Sequence, residues 1–188
     1  MITLIIGGTR SGKSSFAERY CLKRSKNPAY IATAEIYDSE MKNRVEKHQE
    51  RRNKDWVNFE EPYNVAKLLE EIIPLHEVIL LDCLTIYITN LMLKDFDFEG
   101  KDQEDFMEKR EKEIEKEILD ILNLIPENKE LVIVSNEVGM GIVPENFISR
   151  VFRDISGRMN QLIGSECDQL IISIAGIPIK IKPELERI

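Results

Sequence analysis

The sequence predicts an α/β fold with a mostly parallel central sheet flanked by helices. Short apolar runs recur along the chain, segments of helical length separate them, and polar residues directly follow several of the runs. Strands that alternate with helices in this way form parallel sheets through right-handed crossovers. We expect residues 1–188 to form a single domain, because this length suffices for one substantial core.

The predicted strands are short and dominated by apolar residues, as is typical of strands buried on both faces. They cover residues 3–6, 30–33, 56–60, 78–82, 131–135 and 170–174, with a candidate edge strand around residue 178.

Segments of helical length lie between these strands. They cover residues 13–24, 38–53, 65–73, 85–93, 104–124 and 146–164. The longest places Met107, Ile114 and Ile118 on one face at helical spacing, and its charged face is interpreted as solvated. Residues 94–102, which are rich in Asp, Lys and Gly, are predicted to form a mobile loop.

The composition indicates an acidic, soluble protein. Its net charge is −8 and its pI is about 5.0, which argues against non-specific binding of nucleic acid. The apolar start is too short for a signal peptide, and no apolar run is long enough to span a bilayer, so we expect a cytoplasmic location. Cys21, Cys83 and Cys167 have neither metal-ligand nor redox spacing and are interpreted as reduced thiols.

A phosphate-binding loop follows the first predicted strand and precedes the first predicted helix. The pattern G-x-x-x-x-G-K-S is formed by Gly7, Gly8, Thr9, Arg10, Ser11, Gly12, Lys13 and Ser14. The glycines let successive N–H groups point into one cavity, at the positive end of the helix. Lys13 can then reach the β- and γ-phosphates, and the Ser14 hydroxyl can hold Mg²⁺. A glycine-rich turn without function is the alternative, and the position between strand and helix argues against it.

Asp82 ends an apolar run and resembles the carboxylate that holds Mg²⁺ in phosphate-loop proteins. A helix-capping Asp is the alternative. Given the phosphate loop, we predict a metal site formed by Ser14 and Asp82.

His48 is a candidate nucleophile. Helical spacing places Arg44, His48 and Arg51 or Arg52 on one face of a charged segment. Nearby guanidinium groups lower the pKa of a histidine, and the neutral imidazole is the nucleophilic form. From spacing alone, a solvated surface histidine is favoured over this role. His76 precedes a strand and is assigned no role.

Residues at the predicted strand ends point to one ligand cleft. Gly7, Thr33, Asp82 and Asn136 all lie at or just past a carboxyl end, where open α/β sheets bind ligands. Residues 136–146 contain two glycines and a proline and form a specific loop at this end, whose chemical roles stay open.

These motifs resemble the bifunctional adenosylcobinamide kinase / adenosylcobinamide-phosphate guanylyltransferase family of cobalamin biosynthesis. The matching positions span nearly the whole chain: residues 7–14, 30–34, 40–41, 44, 48, 52, 56, 60–62, 81–85, 89–91, 134–146, 152–154, 157–158 and 160–161.

The resemblance implies a phosphate-loop NTPase-type, recombinase-like fold and two reactions. A nucleoside triphosphate, ATP or GTP, phosphorylates adenosylcobinamide; GTP then gives GMP to that phosphate through a guanylylated histidine, which matches His48. It implies Mg²⁺, a corrinoid partner and a homotrimer. The implied nucleotide contacts are residues 7–14 together with Thr33, Ala34, Glu35, Gln49, Glu50, Arg51, Arg52, Glu60 and Asp82.

Three alternatives stay open at this stage. The first is a phosphate-loop kinase of another small metabolite, in which His48 only binds substrate. The second is a nucleotide-dependent switch, although Asn53-Lys54-Asp55-Trp56 does not supply the N-K-x-D element that such a protein uses to read guanine. The third is a guanylyltransferase without the kinase step.

Overall fold

The computed structural model describes residues 1–35 and 55–183, which form seven strands and five helices. The strands are β1 (Ile2–Gly7), β2 (Ala29–Ala32), β3 (Val57–Glu60), β4 (Val78–Asp82), β5 (Glu130–Asn136), β6 (Gln169–Ile174) and β7 (Ile177–Lys182). The helices are α1 (Lys13–Leu22), α2 (Val65–Ile72), α3 (Leu84–Leu93), α4 (Gln103–Asn123) and α5 (Phe147–Glu166).

All seven strands belong to one sheet, in the order β3-β2-β4-β5-β1-β6-β7. Every pairing is parallel except that of β6 with β7, which is an antiparallel hairpin at the edge. The predicted α/β class with a mostly parallel sheet is therefore confirmed. Strand β1, which leads into the phosphate loop, lies between β5 and β6, so both of its edges are paired.

The two faces of the sheet are covered by different helices. Ile5 and Leu80 pack with Ala17 and Cys21 of α1, whereas Leu4 and Leu81 belong to the apolar cluster that includes residues of α2–α5. Successive side chains of a strand point to opposite faces, so residues two apart on β4 share a face. Asp82 is therefore on the same face as Leu80, the face against which α1 packs.

The predicted elements within the described residues are confirmed, with ends that differ by one or two residues. The predicted inner face of helix α4 is confirmed as well, because Met107, Ile114 and Ile118 are buried. The helix predicted over residues 38–53 lies outside the described residues. Within the ranges 1–35 and 55–183, no helix has the length and apolar character needed to span a membrane.

Candidate functional site

The phosphate loop connects the last residue of β1 directly to the first residue of α1, and two of its glycines are sterically required. A Cβ atom on Gly7 would lie 2.5 Å from the carbonyl oxygen of Ser173. Gly12 has a φ of 89°, a conformation that L side chains rarely adopt. Between them, the Ser11 amide donates a hydrogen bond to the Gly8 carbonyl at 3.2 Å and closes the turn.

The loop is held against the β6–β7 hairpin through Ser11. The Ser11 carbonyl accepts hydrogen bonds from the Gly176 amide at 2.9 Å and from the Ser173 hydroxyl at 2.7 Å. The Ser11 hydroxyl is buried and has no hydrogen-bond partner among the residues that the structure describes. A buried polar group without a partner is costly.

Lys13 is a buried cation at the start of α1, with 8% of its surface exposed. Its Nζ donates to the Gly8 carbonyl at 3.2 Å. Burial lowers the pKa of Lys13 below its ordinary value, and the negative forms of Cys83 and Asp82 act in the opposite direction. An anion bound in the loop would relieve the desolvation of this ammonium group.

Asp82 lies between the phosphate loop and strand β2, and each of its carboxylate oxygens faces one of them. Its Oδ1 is 3.4 Å from the Ser14 hydroxyl, and its Oδ2 accepts a hydrogen bond from the Tyr30 hydroxyl at 2.8 Å. The helix after β4 begins at Leu84 without a side-chain cap, so Asp82 does not act as its cap. A carboxylate and a hydroxyl oxygen side by side are ligand types that Mg²⁺ prefers.

Thr33 ties the end of β2 to the end of β4. It is fully buried, its hydroxyl exchanges hydrogen bonds with the carbonyl and the amide of Cys83 at 2.9 and 3.0 Å, and its carbonyl accepts from the Asn90 amide group at 2.7 Å. Ala34 and Glu35 follow at the same end of the sheet, where the Tyr63 hydroxyl donates to the Glu35 carboxylate. Thr33 thus fixes the backbone from which these two residues extend.

Glu60 ends β3, the edge strand on the far side of the sheet from β7. Four strand spacings separate β3 from β1, which corresponds to about 19 Å. The structure therefore brings Asp82 to the phosphate loop and leaves Glu60 at the opposite edge. The predicted residues His48, Gln49, Glu50, Arg51 and Arg52 lie outside the described residues.

The segment after β5 joins the phosphate loop directly. The Glu137 amide donates to the Gly7 carbonyl at 3.1 Å, and the Asn136 side-chain amide donates to the Thr85 hydroxyl at 2.7 Å. Asn146 caps α5 by accepting from the Ser149 amide at 3.1 Å. Residues 136–146 therefore form an anchored loop beside the phosphate loop.

Tyr30 was absent from the residues that the sequence assigned to the site. In the sequence it is part of an apolar strand, yet its hydroxyl donates to Asp82 Oδ2 at 2.8 Å, a shorter distance than that between the Ser14 hydroxyl and Oδ1. Strand parity could identify Tyr30 only once β2 and β4 are known to be neighbours, because their parallel pairing places Tyr30 and Asp82 on one face.

The strand, the glycine-containing loop, the following helix and the strand-end carboxylate beside the loop serine define a phosphate-loop nucleotide-binding protein. The model of the family described as cobinamide kinase / cobinamide phosphate guanyltransferase matches residues 3–181. The chain belongs to this family.

Curated relatives match over almost their full length. The bifunctional adenosylcobalamin biosynthesis protein CobU of Escherichia coli is 39% identical over 97% of this chain and 100% of its own. CobP of Pseudomonas aeruginosa, with the same description, is 36% identical over 98% of this chain and 99% of its own. CobU of Salmonella typhimurium, also with this description, is 37% identical over 97% of this chain and 100% of its own.

One solved structure that the fold resembles is the RadB recombinase. The TM-score is 0.49 at 12% sequence identity, and the alignment covers 91% of this chain and 73% of the other.

Proposed function

We propose that this protein is a bifunctional transferase of cobalamin biosynthesis. It phosphorylates the hydroxyl of the aminopropanol arm of adenosylcobinamide with a nucleoside triphosphate. It then transfers GMP from GTP to that phosphate, giving adenosylcobinamide-GDP and pyrophosphate. The observation that carries the proposal is the Asp82 carboxylate beside Ser14 of a complete phosphate loop, in a chain that the cobinamide kinase / guanyltransferase family matches from residue 3 to 181.

The chain's own groups suit a bound triphosphate. The Ser11 hydroxyl has no partner among the described residues, and burial disfavours the charge of the Lys13 ammonium group. Phosphate oxygens would accept hydrogen bonds from the Lys13 ammonium group. In the kinase step, the acceptor oxygen forms a bond to the γ-phosphorus, the β–γ bridging bond breaks, and the hydroxyl proton passes to solvent. Lys13 stabilises the charge that develops on the phosphate oxygens.

The oxygens of Ser14 and Asp82 fit a divalent cation, because they pair a hydroxyl with a carboxylate beside the phosphate site. When bound there, Mg²⁺ would neutralise charge on the leaving phosphates. Ser14 and Asp82 would hold it, and Lys13 would contact the phosphates from the same loop.

In the guanylyl step, we propose His48 as the nucleophile. Its neutral imidazole nitrogen forms a bond to the α-phosphorus, the α–β bridging bond breaks, and pyrophosphate leaves. The resulting phosphoramidate gives GMP to the cobinamide phosphate. Arg51 and Arg52, close to His48 in sequence, would neutralise phosphate charge and keep the imidazole neutral.

Further nucleotide contacts follow the family resemblance. They are Thr33, Ala34, Glu35, Gln49, Glu50 and Glu60, of which Thr33–Glu35 and Glu60 follow or end strands at the carboxyl end of the sheet. Since the Thr33 hydroxyl and carbonyl already bond within the protein, we assign its contribution to the backbone that presents Ala34 and Glu35.

The test is transfer of label from α-³²P-labelled GTP to the protein, followed by denaturation and acid treatment. The chain contains two histidines, so His76 provides a matched control. His76 is buried and its Nδ1 lies 2.9 Å from the Asn27 carbonyl, so His76→Asn keeps a polar atom near that position. We expect acid-labile label on the wild type and on His76→Asn, and none on His48→Ala.

Equal label on His48→Ala and the wild type would reject His48 as the nucleophile. Label that forms on the protein but never passes to cobinamide phosphate would reject cobinamide phosphate as the acceptor of GMP.

A further inference from the structure

We propose that Tyr30 is a positioning residue that holds one oxygen of the Asp82 carboxylate so that the other oxygen, Oδ1, faces Ser14 and the divalent cation. The inference rests on the proposed function in one respect, since it takes Ser14 and Asp82 as the cation site. Tyr30 itself touches neither nucleotide nor acceptor in this proposal.

Strand register brings the two side chains together. Strands β2 and β4 are parallel neighbours in which Tyr30 pairs with Leu80 and Ala32 pairs with Asp82. Tyr30 and Asp82 are therefore diagonal neighbours on one face of the sheet, a separation that an aromatic side chain can bridge. The 2.8 Å hydrogen bond from the Tyr30 hydroxyl to Asp82 Oδ2 spans this diagonal.

Packing fixes the tyrosine ring. Only 1% of Tyr30 is exposed, and Trp56 packs edge-on against its ring, with centroids 5.4 Å apart and planes at 86°. A ring enclosed in this way has few alternative rotamers, so its hydroxyl is a fixed point in the site. Asp82, the other partner of the pair, is partly exposed.

The hydrogen bond divides the roles of the two carboxylate oxygens. Because Tyr30 holds Oδ2, rotation of the carboxylate is restrained and Oδ1 stays directed at Ser14, 3.4 Å away. Hydrogen bonds to ligating carboxylates orient them, and removal of such a partner typically weakens metal binding by about 10- to 100-fold. Tyr30 thus prepares the site before the cation and nucleotide arrive.

A second tyrosine provides a matched control. The Tyr20 hydroxyl donates to the Glu130 carboxylate at 3.0 Å, at the other end of the sheet. Tyr30→Phe and Tyr20→Phe each remove a tyrosine hydroxyl that donates to a carboxylate, and each variant keeps the aromatic ring. Only the first removal concerns the cation site.

In the experiment, Mn²⁺ is titrated into a mixture of the protein and a GTP analogue. In this analogue a methylene group replaces the oxygen between the α- and β-phosphorus atoms. Free Mn²⁺ is measured by electron paramagnetic resonance. We expect Tyr30→Phe to raise the Mn²⁺ concentration at half-saturation by about 10- to 100-fold. Tyr20→Phe should leave it unchanged, and both variants should bind the analogue like the wild type in EDTA. In the kinase assay, saturating Mg²⁺ should restore the kcat of Tyr30→Phe to the wild-type value.

Wild-type Mn²⁺ affinity in Tyr30→Phe would overturn the proposal, as would an equal loss in both variants. The binding assay requires no corrinoid and no guanylylated histidine. A protein that shows the Mn²⁺ difference but no transfer to cobinamide would therefore contradict the proposed function and leave the role of Tyr30 intact.

Discussion

Two carboxylates at opposite ends of the sheet have similar hydrogen-bond partners and different surroundings. Asp82 ends β4, and Glu130 begins the neighbouring strand β5. Asp82 lies near the hydroxyls of Tyr30 and Ser14, at 2.8 and 3.4 Å. Glu130 accepts from the hydroxyls of Tyr20 and Thr3, at 3.0 and 2.9 Å.

The difference lies in the nearby cation. Arg24 forms an ion pair with Glu130, its Nε 3.3 Å from Oε2, and also stacks on the Tyr20 ring at 3.5 Å. Near Asp82 the cation is Lys13, which donates to the Gly8 carbonyl and whose charge is disfavoured by burial. At the amino end of the sheet, the Glu130 carboxylate is already paired with a cation within the protein. At the carboxyl end, a bound anion would stabilise the charge of the buried Lys13. We infer that the first cluster serves stability and the second sacrifices stability for binding.

The largest effect is expected from Lys13→Met, which keeps the aliphatic part of the side chain and removes the ammonium group. Both activities should fall by at least about 10²- to 10³-fold, because a positioned donor to developing phosphate charge is lost. Kinase and guanylyl transfer assays measure this. Guanylylation that persists would show two separate nucleotide sites.

The same variant also tests the cost of burial. Since the pKa of Lys13 is lowered in the folded protein, the unfolded chain binds the proton more strongly, and stability attributable to this group rises with pH up to about 10.5. At neutral pH, Lys13→Met should be at least as stable as the wild type in urea unfolding, and any advantage should shrink toward alkaline pH. A large loss of stability at neutral pH would break the comparison.

The second prediction exchanges each carboxylate for its amide. Glu130→Gln should reduce the free energy of unfolding by about 2–3 kcal/mol, because it removes the ion pair and turns an amide donor toward Arg24. Asp82→Asn should change it by less than about 1 kcal/mol, because the amide can accept from Tyr30 and donate to Ser14. Urea unfolding measures both.

Activity should show the reverse order. Asp82→Asn puts an N–H group where the cation is proposed, so phosphoryl transfer should be largely lost, whereas Glu130→Gln should retain it while folded. If Glu130→Gln lost activity while its free energy of unfolding equalled that of the wild type, the cluster around Glu130 would have a role beyond stability.

Local signals in the sequence predicted the fold and one half of the site. The apolar runs predicted the strands within one residue, and the residue pattern 7–14 lies between strand and helix as expected. These features depend on neighbouring residues, so they can be read locally. The same holds for Asp82, which was identified because it ends an apolar run.

The network around Glu130 had no such signal. Thr3 and Glu130 are 127 positions apart, and Tyr20 and Glu130 are 110 apart, so their contacts depend on strand order. Tyr30 is 52 positions from Asp82 and was hidden for the same reason. The spacing of a motif reports what is adjacent along the chain, whereas these partners become adjacent only when the sheet forms.

The smallest effect is expected from Gly8→Ala, and its contrast with Gly7→Ala shows where the carboxyl end contributes to stability. A Cβ atom on Gly7 would lie 2.5 Å from the Ser173 carbonyl oxygen, a backbone atom fixed by strand pairing. Gly7→Ala should therefore reduce stability by about 1–3 kcal/mol and weaken nucleotide binding as the loop shifts. A Cβ on Gly8 meets no atom within 4 Å, so Gly8→Ala should have wild-type stability. Urea unfolding of both variants measures this, and equal stability of the two would mean that the loop does not depend on close contact with β6.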